Sequence, residues 1–136
     1  GEPVSARIGI VCGEFHQTEV ERMLEFARAE AVVMGLQVAE VVWVPGSMEA
    51  PLALKRLLAD ENIDAAAALG IIEKGETQHG EAMGNAVIDG IVRLQLETGK
   101  PIGLGIIGPG AEPEHIGPRL ESHARAAIQA VARMLE

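Results

Sequence analysis

Aromatic side chains are almost missing from this chain. They make up 2% of its 136 residues: Phe15, Phe26 and Trp43, with no tyrosine. The stacked aromatic platforms that hold single-stranded nucleic acid are therefore not available. Cationic residues are few as well. Eleven Lys and Arg stand against twenty Asp and Glu, a net charge of −9 with neutral histidine. That balance disfavours binding nucleic acid over the whole surface, and it disfavours electrostatic docking on an anionic membrane. Cysteine occurs once, at Cys12. A single cysteine closes no disulfide within the chain, which suits a reducing compartment, and a cytoplasmic location is expected. Long apolar runs are also missing. The longest charge-free apolar stretches, 65–72 and 101–111, fall short of the ~18 residues that span a bilayer. The segment Gly1-Glu2-Pro3-Val4-Ser5 has no basic patch followed by an apolar run, so no secretory signal is expected.

What is present is aliphatic. Apolar residues make up 48% of the chain and charged residues 23%, which gives enough Ala, Val, Ile and Leu for a core and argues against disorder. The length fits one domain over residues 1–136, with no linker, repeat or low-complexity tract.

Ala6 to Gly13 is a β-branched apolar run ending in glycine, the pattern of a strand buried on both faces. Thr18 and Glu21 have the spacing of a capping box. Val20, Met23, Leu24, Ala27, Ala31 and Met34 then form one helical stripe, and Gly35 stands where a C-terminal glycine cap belongs. Val38 to Val44 reads as a second strand closed by Pro45-Gly46. Ser47 is placed to cap a second helix with Leu54, Leu57 and Leu58 on its face. Ala65 to Ile72 reads as a third strand and Glu73 to His79 as a polar loop. A third helix runs from about Glu81 to Thr98, stopped by Gly99 and Pro101. Ile102 to Ile107 reads as a fourth strand, followed by Gly108-Pro109-Gly110 and a last helix from about Glu114 to Leu135.

Each strand-to-strand connection carries a helix, so the strands are expected to be parallel. Right-handed crossovers then predict a flavodoxin-like three-layer α/β/α sandwich around a four-stranded parallel sheet. The third helix has two apolar stripes: Met83, Val87, Ile91 and Leu94, and beside it Ile88, Val92 and Leu96. A wide buried face and a subunit interface explain the second stripe equally well.

In open parallel sheets, ligands bind beyond the carboxyl ends of the strands. Four segments follow those ends: 13–16, 45–49, 74–79 and 108–110. Phe15 is either a hydrophobic staple on the helix that follows or a stacking plate for a flat heterocycle. Ser47 and Glu49 suit a helix start, and they could also contact hydroxyls or a polar ring edge. Gly75, Glu76 and Thr77 lie between a strand and a helix N-terminus, where N–H groups and a hydroxyl suit a phosphate. This segment is neither a Walker A loop nor a dinucleotide fingerprint. His79 could exchange protons near neutral pH. Arg119 and Arg125 on the last helix are surface ion-pairing residues or anion ligands. Cys12 reads as a buried core thiol. The histidines and carboxylates offer no defensible metal spacing, and no serine nucleophile elbow occurs.

Taken together, GIVCGEF at Gly9–Phe15, VPGSMEAPLALK at Val44–Lys55, ALGIIEKGETQH at Ala68–His79 and ETGKPIGLGI at Glu97–Ile106 resemble the lumazine synthase family. Order and spacing agree from Arg7 to about Leu135, and Gly108-Pro109-Gly110 resembles the archaeal branch. The resemblance implies a reaction of riboflavin biosynthesis. In it, 5-amino-6-(D-ribitylamino)uracil condenses with 3,4-dihydroxy-2-butanone 4-phosphate, and no metal or organic cofactor takes part. It implies Phe15 as the stacking plate. Ser47, Met48, Glu49 and Leu104 would contact the pyrimidine and ribityl chain. Gly75, Glu76, Thr77 and Arg119 would bind the phosphate, with Arg119 contributed by a neighbouring subunit, and His79 would transfer protons. It also implies self-association as a homopentamer or a shell of twelve pentamers, with small-molecule substrates and no nucleic-acid or membrane partner. The chain departs from the family pattern in three places. His16 stands where Asn commonly follows the Phe, and Leu104 where bacterial members often carry a second aromatic. The lysine-bearing segment after the arginine is shortened, with Arg125 a loose stand-in. An archaeal-type riboflavin synthase, and a flavin- or pterin-binding or cage-forming protein without turnover, are the alternative readings.

Overall fold

A computed structural model describes residues 5–75 and 78–136. The helix-period and strand-period segments fall in strict alternation. They are β1 (Arg7–Gly13), α1 (Gln17–Val33), β2 (Gln37–Val44), a 3-10 turn at Ser47–Glu49, α2 (Ala50–Leu58), β3 (Ala65–Glu73), α3 (His79–Thr98), β4 (Ile102–Ala111) and α4 (Pro113–Met134). All strand pairs are parallel, in the order β2-β1-β3-β4. The expected four-stranded α/β/α sandwich is the observed one.

Side-chain alternation along the strands divides the core into two layers. Ile8, Ile10 and Cys12 of β1, with Ala67, Leu69 and Ile71 of β3, face α1 and α4, where Val20, Met23, Leu120 and Ile128 are fully buried. Val11, Ala66, Ala68, Ile102 and Ile106 face α2 and α3, against Leu54, Leu57, Val87 and Ile91. The alanines of β3 have modest strand propensity, yet this strand is central and its first eight residues are buried. Packing decides the conformation there.

Several boundaries differ from the sequence pattern. Thr18 and Glu21 do not cap α1. The helix starts at Gln17 after His16, which takes the left-handed conformation (φ 59°, ψ 49°) and makes no side-chain cap. Ser47 does not cap α2 either: it opens the 3-10 turn, and Glu49 precedes the α-helix. His79 is the first residue of α3 rather than part of a loop. Gly108-Pro109-Gly110 belongs to β4 rather than following it. The register shift between Ile71 and Glu73 lets pairing resume at Glu73 and Ala111. Gly35 (φ 73°) and Gly99 (φ 69°) end α1 and α3 in the left-handed conformation, as expected.

The first stripe of α3 is buried apart from Met83, which is half-buried. The second is not: Val92 is 46% and Leu96 80% exposed. A wide buried face therefore does not account for it within one chain. No helix among the described residues is long and apolar enough to cross a membrane.

Candidate active site

The sheet order places a switch point between β1 and β3, because the chain leaves β1 toward β2 and returns on its other side as β3. In doubly wound sheets the crevice at such a point receives the ligand. The described parts of three loops meet there.

The first loop follows β1. Glu14 N–H donates to the Val44 carbonyl (2.8 Å), which ties this loop to the end of β2. Phe15 is 53% exposed, so it does not act as a staple. Its ring meets the His16 ring edge-on, with centroids 4.5 Å apart and planes at 74°. The second loop follows β2. Ser47 is buried, and its hydroxyl lies over Gly70 of β3, where a Cβ would come within 3.1 Å of Oγ. Met48 beside it is exposed. The third loop follows β3 and leads into α3. A Cβ on Gly80 would lie 2.9 Å from the Glu73 carbonyl oxygen, so only glycine lets the first turn of α3 approach the strand end this closely.

These loops enclose two joined hollows. One, of about 260 Å³, is lined by Phe15, Glu73, Gly75, His79 and Met83. The other, of about 340 Å³, is lined by Phe15, Ser47, Met48, Glu49 and Met83. Phe15, Ile71 and Met83 belong to both. A flat apolar plate thus stands between a polar turn and a histidine at a helix start. A larger groove of about 510 Å³ along β2 and α2 shares only Pro45 and Glu49 with these hollows.

The chain therefore brings Phe15, Ser47, Met48, Glu49, Gly75 and His79 together. Glu76 and Thr77 lie outside the described residues. Arg119 and Leu104 are not brought to the plate. Arg119 shares a separate hollow of about 220 Å³ with His115, His123 and the Gly108–Ala111 segment, and its guanidinium donates to the His115 carbonyl (3.0 Å). Leu104 sits midway along the edge strand β4, opposite Ala68 and 41% exposed.

Arg125 is committed elsewhere. It pairs with Glu30 and Glu121, each at 2.9 Å, and lies 5.6 Å from the centroid of the Phe26 ring. The Gln129 amide and the Arg125 guanidinium hold the Glu30 carboxyl below the usual carboxylate range. This network clasps α1 to α4, so Arg125 does not stand in for a ligand-binding lysine. Cys12 is buried, and burial pushes its thiol up to about 12, which suits a core thiol and not a nucleophile. Among the described residues no His, Cys, Asp and Glu group together as metal ligands.

Sequence pattern alone missed Ile71 and Met83 as lining residues. Both carry only a core signal, and only the position of Met83 in the first turns of α3 hinted at the site. It also missed Glu73, whose carboxylate lies 2.6 Å from His16 Nε2.

The fold and the hollows define an open parallel α/β domain with a candidate small-molecule site at its switch point. The chain belongs to the 6,7-dimethyl-8-ribityllumazine synthase family, whose model matches residues 5–136. It is 42% identical over 130 residues to a 6,7-dimethyl-8-ribityllumazine synthase of Staphylothermus marinus, covering 96% of this chain and 87% of that one. Enzymes of the same name from Metallosphaera sedula (40% identity; 96% and 86% covered) and Saccharolobus solfataricus (39% identity; 97% and 86% covered) are similarly close.

Proposed function

We propose that this chain condenses 5-amino-6-(D-ribitylamino)uracil with 3,4-dihydroxy-2-butanone 4-phosphate to give 6,7-dimethyl-8-ribityllumazine, with loss of water and phosphate. The observation that carries this reading is the pair of hollows joined at Phe15, in a chain of this family. The pyrimidine stacks on Phe15. The Ser47–Glu49 turn takes the ring edge and ribityl hydroxyls through the backbone N–H groups of Ser47 and Met48 and the Glu49 carboxylate, the Glu49 N–H being donated to the Gly46 carbonyl (3.1 Å). The phosphate lies toward Gly75, Glu76 and Thr77, the segment that leads into α3, where the dipole of the helix favours an anion.

The 5-amino group of the pyrimidine attacks the butanone carbonyl and expels water to form an imine, phosphate is eliminated, and attack of the ribitylamino nitrogen on the remaining carbonyl closes the ring and expels a second water. His79, at the start of α3, moves the protons these steps require. Holding two reactants side by side supplies much of the acceleration, since a bimolecular encounter becomes an intramolecular one. No cofactor is needed. Arg119 reaches the phosphate of a neighbouring subunit, and Leu104 lies along the same seam. The assembly is a homopentamer or a shell of twelve pentamers, formed in the cytoplasm, without nucleic-acid or membrane partners.

The test is to mix both substrates with the purified protein and follow lumazine absorbance. Product at a rate well above the uncatalysed background is expected. A background rate with both substrates bound overturns the reading.

A further inference from the structure

We propose that His16 is a positioning residue that locks the Phe15 plate to the end of β3 across the switch-point crevice, and so couples the plate to the segment that begins α3. The inference rests on the function proposed above.

Three observations converge on this side chain. His16 is the one non-glycine residue among those described with a positive φ, a conformation that L-residues avoid and that persists where the surroundings hold it. Its Nε2 stands 2.6 Å from Glu73 Oε1, within ion-pair distance though without hydrogen-bond geometry, while Nδ1 lies 4.0 Å from Glu19 Oε2. The same ring holds the Phe15 ring edge-on at 4.5 Å. One imidazole thus touches the plate on one side and a carboxylate of β3 on another. Turn geometry alone would be met equally by glycine or asparagine at this position. Neither could make both contacts.

Glu73 gives the contact its reach. It lines the same hollow as Phe15, Gly75 and His79, and its carbonyl abuts Gly80 in the first turn of α3. Phe15 and the start of α3 come from opposite sides of the crevice. The His16–Glu73 pair spans it, so the plate is set at a fixed height over the pyrimidine before the ligand arrives. Preorganisation of this kind removes an ordering cost from binding.

The test uses His16→Asn, Glu73→Gln and the double variant. Asparagine tolerates the left-handed backbone but lacks the ring and the reach. Glutamine keeps the length of Glu73 and removes its charge. Binding of 5-amino-6-(D-ribitylamino)uracil alone is titrated by calorimetry, and steady-state rates are measured against each substrate. Each single variant is expected to weaken pyrimidine binding about fivefold, within the range of an edge-to-face pair, and to raise its KM in step. The rate at saturation should change less than threefold. Because both changes break one contact, the double variant should bind no more weakly than the worse single one.

Pyrimidine binding within twofold of wild type in both single variants overturns the inference, and so do losses that multiply in the double variant. If His16→Asn does not fold, Glu73→Gln, which leaves the backbone untouched, decides alone. A wild-type protein that binds the pyrimidine without forming product would overturn the proposed reaction but leave this contact to be judged on affinity. A wild-type protein that does not bind it overturns both.

Discussion

Replacing Phe15 with alanine probes the plate directly, and the structure sets the size of the effect. The ring is 53% exposed. For a side chain of roughly 200 Å², that leaves about 100 Å² of apolar surface open. A flat heterocycle laid on one face covers about half of it and buries a similar area of its own. At ~25 cal/mol/Å², about 100 Å² of total burial corresponds to about 2.5 kcal/mol, or about 70-fold in Kd. The fold itself should lose little. Apart from its edge contact with His16, Phe15 faces the hollows, and an edge-to-face pair contributes about 1 kcal/mol. The assay is calorimetric titration of the ribitylaminopyrimidine, with a thermal melt of the same sample. Phe15→Leu, which keeps apolar area but no flat face, should fall between alanine and wild type. A loss of less than threefold in Phe15→Ala with a normal melt refutes the stacking argument. So does equal weakening toward the phosphate substrate, which would point to a collapsed loop.

His79→Ala is expected to lower the turnover rate by about 10²–10⁴-fold, the usual worth of a positioned proton-transfer group, with substrate affinities within threefold of wild type by titration. Arg119→Ala should raise the KM of the butanone phosphate by roughly 10- to 100-fold, the scale of a lost charge-assisted hydrogen bond. Co-refolding His79→Ala chains with Arg119→Ala chains should restore activity, because some sites in mixed assemblies then receive an intact residue from each subunit; inactive mixtures would refute the shared site. Cys12, raised to about 12 by burial, should resist alkylation at pH 8 until the protein unfolds, as followed by mass spectrometry. Glu30 makes an acid-side prediction. Its folded carboxyl lies below its ordinary value, so the clasp stabilises fully above that ordinary value and is lost as pH falls through the lower folded one. Glu30→Gln should therefore flatten the acid side of a plot of Tm against pH, and an unchanged slope would refute the role given to the clasp.

The alternation of strands and helices was legible because the two periodicities are distinct and glycine or proline separates most of the segments. The buried faces followed from the same patterns. The starts of the helices were not legible. Thr18 and Ser47 have capping chemistry, but the chain around them answers to contacts far away in sequence. His16 lies against Glu73 of β3 and α1 starts after it at Gln17, while Ser47 lies over Gly70 of β3 and opens a 3-10 turn before α2. In the same way, the reach of β4 to Ala111 depends on a register shift in β3, which no local pattern in β4 signals. At the site, the polar and glycine-rich segments were legible as a set because topology places all strand ends on one edge of the sheet. The residues that escaped, Ile71, Met83 and Glu73, are those whose local pattern is fully explained by a core stripe or a surface carboxylate.

The separation of Arg119 and Leu104 from Phe15 bears on the exposed stripe of α3. In the proposed reading the phosphate is shared between the loop after β3 and Arg119 on α4, and a single chain places Gly75 and Arg119 in different hollows. It also leaves Val92 and Leu96 of α3 and Leu104 of β4 open to water. Leu104 shares its strand face with Ile102 and Ile106, which pack on the α3 side of the sheet, so the open apolar residues lie on the layer that also carries His79. A net charge of −9 repels copies of the chain from one another at long range. Association must then come from local burial, and α3 and the β4 edge carry part of the exposed apolar surface, beside Val32 and Val33 of α1, Leu52 of α2 and Met134 of α4. In the proposed assembly, the contact that covers Val92, Leu96 and Leu104 is also the one that brings a neighbour's Arg119 toward the phosphate. An acidic chain can in this way gather an anionic substrate, because the cation it needs is fixed by packing rather than by the overall field.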